Sequence, residues 1–214
     1  MPYFYKPEIN LNLLFIHIPK TGGTSVEIYF SNKYKIDLNQ DSLFYSTVTR
    51  GIIPNDVSSQ HQLYSMIVKH NDFFKVNFTP DIKILTIVRN PYERLMSDLF
   101  FFNLINVYTP IEDVTKSVIQ YIVTNNVFFN NHNTPQYKYL VDENEELIKN
   151  ITILKTEQLN KDMHDLGYID FNEFTNTNTN GEKINYYDYL NEDSIKVINS
   201  YYEKDFLLFG YKML

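Results

Sequence analysis

Residues 13–30 constrain the chain more than any other stretch. Leu13-Leu14-Phe15-Ile16-His17-Ile18 is a short, β-prone apolar run; it breaks at Pro19-Lys20-Thr21-Gly22-Gly23-Thr24-Ser25, and Val26-Glu27-Ile28-Tyr29-Phe30 resumes with apolar spacing. The order is strand, glycine loop, helix. Two adjacent glycines let backbone N–H groups converge on an anion, and the following helix adds about half a positive charge at its N-terminus. Lys20 supplies a full charge, and the hydroxyls of Thr21, Thr24 and Ser25 can donate further bonds to phosphate or sulfonate oxygens. The nucleoside triphosphatase pattern G-x-x-x-x-G-K-[ST] places its lysine after the glycines, whereas here it precedes them. The plainer alternative is a glycine turn carrying a solvated lysine.

A second strand-to-helix junction follows. Ile82-Lys83-Ile84-Leu85-Thr86-Ile87-Val88 is nearly continuous and rich in β-branched residues, which suits a buried strand. It ends at Arg89-Asn90-Pro91, and Pro91 suits the first turn of a helix through Tyr92, Leu95, Met96, Leu99 and Phe102. Arg89 then sits at the carboxyl edge of the sheet, and Ser97 lies about two turns into the helix, on a face that can look back to that edge. Together they could clamp one phosphate; alternatively, Arg89 pairs with a helix carboxylate and Ser97 is merely tolerated. Further helices are expected over 62–70, 111–127 and 190–209, a third core strand over 151–154, a surface loop over 172–183, and loop with one short strand over 35–56. This alternation predicts an α/β fold, a mainly parallel central sheet flanked by helices, with ligands at the carboxyl ends of the strands. At 214 residues the default is one domain, 1–214.

Composition narrows the chemistry. With 19 basic against 26 acidic side chains, a net charge of −7, the chain lacks the broad positive field that nucleic-acid binding needs, so an anion must be held by a few placed groups. No cysteine is present, which removes disulfides, thiolate metal sites and a cysteine nucleophile. The apolar run after Leu11 is far below the roughly 20 residues of a membrane helix. No anchor or signal peptide is expected, and the cytoplasm is the expected location.

The nine residues 17–25, His-Ile-Pro-Lys-Thr-Gly-Gly-Thr-Ser, resemble without a gap the 5′-phosphosulfate loop of sulfotransferases, in particular the carbohydrate sulfotransferases. Residues 88–97, Val-Arg-Asn-Pro-Tyr-Glu-Arg-Leu-Met-Ser, resemble the same family's 3′-phosphate motif R-N-P-x-x-R-x-x-S. His132-Asn133-Thr134-Pro135-Gln136, Leu154-Lys155-Thr156-Glu157-Gln158-Leu159 and the Phe209-Gly210-Tyr211 ending look like further family segments. The Asn176-Thr177-Asn178-Thr179-Asn180 stretch departs from the pattern that closes over the nucleotide in relatives. The resemblance implies a P-loop-like fold that binds 3′-phosphoadenosine 5′-phosphosulfate (PAPS) as co-substrate and releases adenosine 3′,5′-bisphosphate, with no metal required. By that comparison Lys20 contacts the phosphosulfate and stabilises charge on the bridging oxygen. Thr21, Gly22, Gly23, Thr24 and Ser25 cradle the 5′-phosphate, and Arg89 and Ser97 bind the 3′-phosphate. His61 takes the place of a helix-opening histidine and is the expected general base, against the reading of an ordinary cap or surface histidine. His132 and Gln136 are expected near the acceptor, a small molecule or glycan hydroxyl. Arg94 is expected to be structural. Two rivals stay open: a nucleotide-dependent phosphotransferase of related fold, and a non-catalytic carbohydrate-binding protein on the same fold.

Overall fold

The computed structural model describes residues 1–39, 41–44, 57–173 and 184–214. Its centre is a four-stranded sheet in the order β1 (Tyr3–Lys6), β2 (Leu11–Ile16), β3 (Lys83–Val88), β4 (Ile151–Lys155). β1 folds back antiparallel on β2, with Tyr3 opposite Leu14 and Lys6 opposite Leu11. The other pairings are parallel: Leu13 opposite Lys83 and Ile16 opposite Thr86, then Ile84 opposite Ile151 and Val88 opposite Lys155. The carboxyl ends of β2, β3 and β4 therefore share one edge, and the residues just beyond them are His17, Arg89 and Thr156. The mainly parallel α/β sheet is as expected; the antiparallel edge strand β1 was not, because four residues between Pro2 and Pro7 leave too little pattern to read.

Side-chain alternation sends the strands' residues into two cores. Leu14, Ile16, Ile84 and Val88 pack with Ile67, Phe74, Tyr139 and Leu140 on one face. Leu13, Phe15, Leu85, Ile87 and Leu154 pack with Val26, Phe30, Leu159 and Met163 on the other. That second face is covered by α1 (Gly23–Tyr34) and α6 (Leu159–Asp165), the first by α2 (Tyr64–Lys69), α3 (Asn71–Phe74) and the 3-10 turn Gln136–Leu140. Each fully buried Leu, Ile or Phe contributes about 1.5–3 kcal/mol, so six consecutive buried residues make β2 an unyielding base for the loop that follows. A third core joins α4 (Pro91–Phe101), α5 (Ile111–Val123), α7 (Glu192–Tyr201) and α8 (Glu203–Phe209) through Tyr92, Leu95, Leu99, Val118, Tyr121, Ile198, Tyr202 and Phe206.

Several boundaries move for local reasons. β2 begins at Leu11 and stops at Ile16, before the chain turns into Pro19. The segment expected as one helix over 62–70 is shorter, and His61 does not open α2: it ends the 3-10 turn Ser59–His61, after which Gln62 and Leu63 are extended. α5 ends at Val123, with Thr124 extended and a 3-10 turn at Asn126–Phe129. The tail is two helices hinged at Tyr202, whose side chain is buried in the third core. The expectations for 45–56 and for most of the 172–183 loop, including 176–180, lie outside the described residues. No helix among the described residues is long and apolar enough to cross a membrane.

Candidate active site

The loop after β2 is a tight, strained turn. Lys20 has φ +65 and Gly22 φ +88, both left-handed, a region that costs a residue with a Cβ about 1 kcal/mol or more. Lys20 bears that strain at the place where its charge is wanted. Gly23 is required for a different reason: a Cβ there would stand 2.9 Å from Cε1 and 3.1 Å from Nε2 of the His17 ring. The Thr21 hydroxyl is buried and donates to the Ile18 carbonyl at 2.8 Å, so it shapes the loop, while the Thr156 hydroxyl donates to the Thr21 carbonyl at 2.7 Å and ties the loop to the end of β4. Thr24, exposed, and Ser25 lie in the first turn of α1.

At the neighbouring strand end Arg89 reaches over to the same loop. Its Nη1 donates to the Lys20 carbonyl at 3.3 Å and its Nη2 meets Glu93 at 3.1 Å, so the carboxylate pairing foreseen as the plain alternative exists alongside the contact with the loop. Its guanidinium lies 5.6 Å from the Tyr186 ring centre, in a cleft of about 290 Å³ lined by Glu93, Ile184, Asn185 and Tyr187. Ser97 is nearly buried two turns into α4. Gln136, expected at the acceptor, is placed under Arg89 instead: its Oε1 accepts from the Arg89 N–H and its Nε2 donates to the Arg89 carbonyl, both at 2.8 Å. With both ends of its buried amide engaged on that backbone, Gln136 positions Arg89 and offers nothing to an acceptor. Asp205 on α8 in turn accepts from the backbone N–H groups of Gln136 and Tyr137, at 2.7 and 2.8 Å.

Arg94 is structural, as read, but its work is done at the site. Fully buried, it donates to the carbonyls of Pro19 at 3.0 Å, Thr134 at 3.0 Å and His132 at 2.5 Å, riveting the loop before Lys20 to the segment that carries His132.

Between these parts stands a row of three imidazoles. The ring centres of His17 and His61 are 5.2 Å apart, those of His61 and His132 5.0 Å. His17 Nδ1 bonds the buried carboxylate of Glu27, which also accepts from Gln60 at 3.0 and 3.2 Å. His132 Nδ1 bonds Asp98 at 2.7 Å, and the Tyr121 hydroxyl donates to the other Asp98 oxygen at 2.8 Å. Phe101, 57% exposed, stacks on His132 with ring centres 5.7 Å apart and planes 5° from parallel, and the Lys20 ammonium lies 4.2 Å from the Phe101 ring centre. Lys20 therefore faces the histidine row. Burial pulls its ammonium below the ordinary lysine range, the nearby Asp98 charge opposes this and Arg89 adds to it. Burial first, and then the charges of His17 and His132, hold His61 well below the ordinary histidine range. His132 is also lowered, by burial, against the hydrogen bond it donates to Asp98. Both rings are therefore neutral near pH 7. Among the described residues no group of three or more His, Asp or Glu side chains could hold a metal ion.

Lys20, the glycine pair, Arg89, His61 and His132 thus converge on one edge of the sheet. Sequence reasoning missed Glu27, Gln60, Asp98, Phe101 and Asn130, which hold or border the histidines. None carried a signal of its own in the sequence, because each meets its histidine across 10 or more positions of chain or, for Gln60, through a contact to His17 and Glu27 that only the fold creates. A family model described as "Sulfotransferase family" matches residues 2–212. No curated protein and no solved structure matches the chain.

Proposed function

The chain belongs to the sulfotransferase family, and from that premise we propose that it moves a sulfuryl group from PAPS to an acceptor hydroxyl, on a carbohydrate, releasing adenosine 3′,5′-bisphosphate. The observation that carries this reading is the contact of Arg89 with the Lys20 carbonyl: two candidate anion sites, built on different strand ends, are neighbours, near enough for the two phosphorylated ends of one nucleotide. The residues present fit that group. The glycine pair lets the start of α1 pack directly on the His17 ring, and Arg89 lines a cleft whose aromatic walls suit a base. Lys20, Gly22, Gly23, Thr24 and Ser25 would hold the 5′-end, with Thr21 keeping the loop's shape, and Arg89 with Ser97 the 3′-phosphate.

When bound, PAPS supplies an activated sulfuryl group on a good leaving phosphate. The chain's own residues do the rest. Lys20 offers a cation where charge develops on the departing oxygen, a type of contact whose removal costs about 10²–10³ in rate. A histidine of the row takes the acceptor's proton; a base of this kind contributes typically 10²–10⁴-fold. The exposed part of the Phe101 ring, beside Lys20 and His132, gives the acceptor an apolar surface to lie against, the kind on which C–H groups of a sugar pack.

Calorimetric titration with adenosine 3′,5′-bisphosphate and, separately, ATP tests the reading, followed by transfer of label from ³⁵S-PAPS to a panel of mono- and oligosaccharides. The bisphosphate binds and ATP does not compete with it, and label moves to a sugar. Equal binding of ATP, or no binding of the bisphosphate, overturns the proposal; label moving only to phenols, steroids or peptides overturns the carbohydrate part alone.

A further inference from the structure

We propose that His132, oriented by Asp98, is the base that takes the acceptor's proton, and that His61 faces the same space as an N–H donor. This rests on the sulfuryl-transfer reading and deepens it by assigning the histidine row.

The assignment follows from which ring nitrogen each partner occupies. Asn130 accepts from the Ser58 backbone N–H through its Oδ1 at 2.7 Å, which fixes the amide's orientation because a backbone N–H can only donate. Its Nδ2 is therefore the atom 2.8 Å from His61 Nδ1, and an amide NH₂ can only donate, so His61 Nδ1 accepts. A neutral imidazole carries one proton, which in His61 must then sit on Nε2. That nitrogen has no lone pair for the acceptor's proton. His132 is the reverse case. Its Nδ1 faces the Asp98 carboxylate, which can only accept, so the proton sits on Nδ1 and Nε2 keeps its lone pair. The Tyr121 hydroxyl on the second Asp98 oxygen and Arg94 on the His132 carbonyl hold the pair in place. His17 has a carboxylate on Nδ1 as well, but Gly23 lies flat against its ring and it sits beneath the loop. His132 instead stacks on Phe101, the ring under the Lys20 ammonium, which places it beside the reacting centre. Burial keeps it neutral, as a base must be.

In the step itself His132 Nε2 accepts the proton as the acceptor's O–H bond breaks. The oxygen's electron pair forms the new O–S bond, and the S–O bond to the 5′-phosphate breaks with its electron pair leaving on adenosine 3′,5′-bisphosphate. His61 Nε2–H donates a hydrogen bond to a sulfuryl or acceptor oxygen, and His132 later returns its proton to water.

Long-range ¹H–¹⁵N spectra of the imidazoles in the uniformly labelled protein near pH 7.5 read the tautomers without any turnover. Signals are assigned by their loss in His61→Gln and His132→Gln. We expect His132 protonated on Nδ1 and His61 on Nε2; the opposite pattern at either ring overturns the assignment. In Asp98→Asn the amide can donate to Nδ1 and push the proton to Nε2, so the His132 signal switches tautomer while adenosine 3′,5′-bisphosphate still binds within about threefold. With the sugar that wild type sulfates, His132→Gln and Asp98→Asn lower kcat about 10²–10⁴-fold, and His61→Gln lowers it at least tenfold less than His132→Gln does. A larger loss in His61→Gln overturns the proposal. Failure of wild type to bind the bisphosphate overturns the sulfuryl-transfer reading, and leaves the tautomer result to be judged on its own.

Discussion

The two strand ends that hold the candidate donor site are built in opposite ways. At β2, one unbroken stretch, residues 11–26, carries the half-site: its strand, its left-handed turn at Lys20 and Gly22, and the first turn of α1. After β3, a single arginine depends on parts from all over the chain. Gln136 grips its backbone, Glu93 and Tyr186 flank its guanidinium, and Asp205 holds Gln136 in turn. A local site takes its shape chiefly from its own backbone, with Arg94 and Thr156 pinning the loop from outside. An assembled site can be loosened from a distance. In the proposed reaction the loop, moreover, presents charge to the reacting centre, whereas Arg89 only has to grip.

That contrast orders the expected effects. Lys20→Ala removes the cation at the proposed reacting centre and lowers kcat about 10²–10³-fold, while adenosine 3′,5′-bisphosphate, whose 5′-phosphate keeps its other contacts in the loop, loses less affinity than kcat loses rate; initial rates and calorimetry together check the split. A variant that loses affinity and keeps its kcat would erase the difference between the halves. Arg89→Ala shows the opposite split. Loss of a charge-assisted bond worth about 1.5–3 kcal/mol weakens the bisphosphate roughly 10–100-fold, with a smaller change in kcat at saturating donor. If the site after β3 is assembled as described, Gln136→Leu reproduces part of that loss, because the arginine is still present but its backbone is no longer clamped. An unchanged dissociation constant in Gln136→Leu would show that β3 alone places Arg89.

Legibility in the sequence follows the same division. The three parallel strands and the helices after the first two were readable because each carries an apolar pattern, whereas α6, only seven residues long, was not; residues 17–25 were readable because they form one backbone unit. Gln136 was not: a Pro-Gln pair says nothing about which carbonyl the amide will meet 47 residues away. The histidines were visible as residues, but their tautomers depend on Asp98, Glu27 and Asn130, whose contacts span 10 to 69 positions. Chemistry set by a short segment survives in the sequence; chemistry set by what packs beside it appears only in three dimensions.

Asp205 leaves the chemistry untouched, acts on stability instead, and gives the sharpest view of how the assembled half is supported. Two opposing influences act on its carboxyl. The backbone N–H groups of Gln136 and Tyr137 favour the charged form, while burial beneath α8 disfavours it, and burial wins: the group is pushed from its ordinary 3.8 up to about 6. A carboxyl raised on folding binds its proton more tightly in the folded chain, so its contribution to stability is fully present below about pH 4 and is lost as pH rises through 6. Relative to Asp205→Asn, which does not titrate, wild type should lose roughly 2–3 kcal/mol of stability between pH 4 and pH 7, read by urea unfolding of both proteins at each pH. Should the two N–H bonds dominate instead, the carboxyl would lie below 3.8 and the gap would change with the opposite sign over its own lower range. The prop under Arg89 would then be an anion held by hydrogen bonds, as the loop's bound phosphate is proposed to be, and the two halves would share one principle after all.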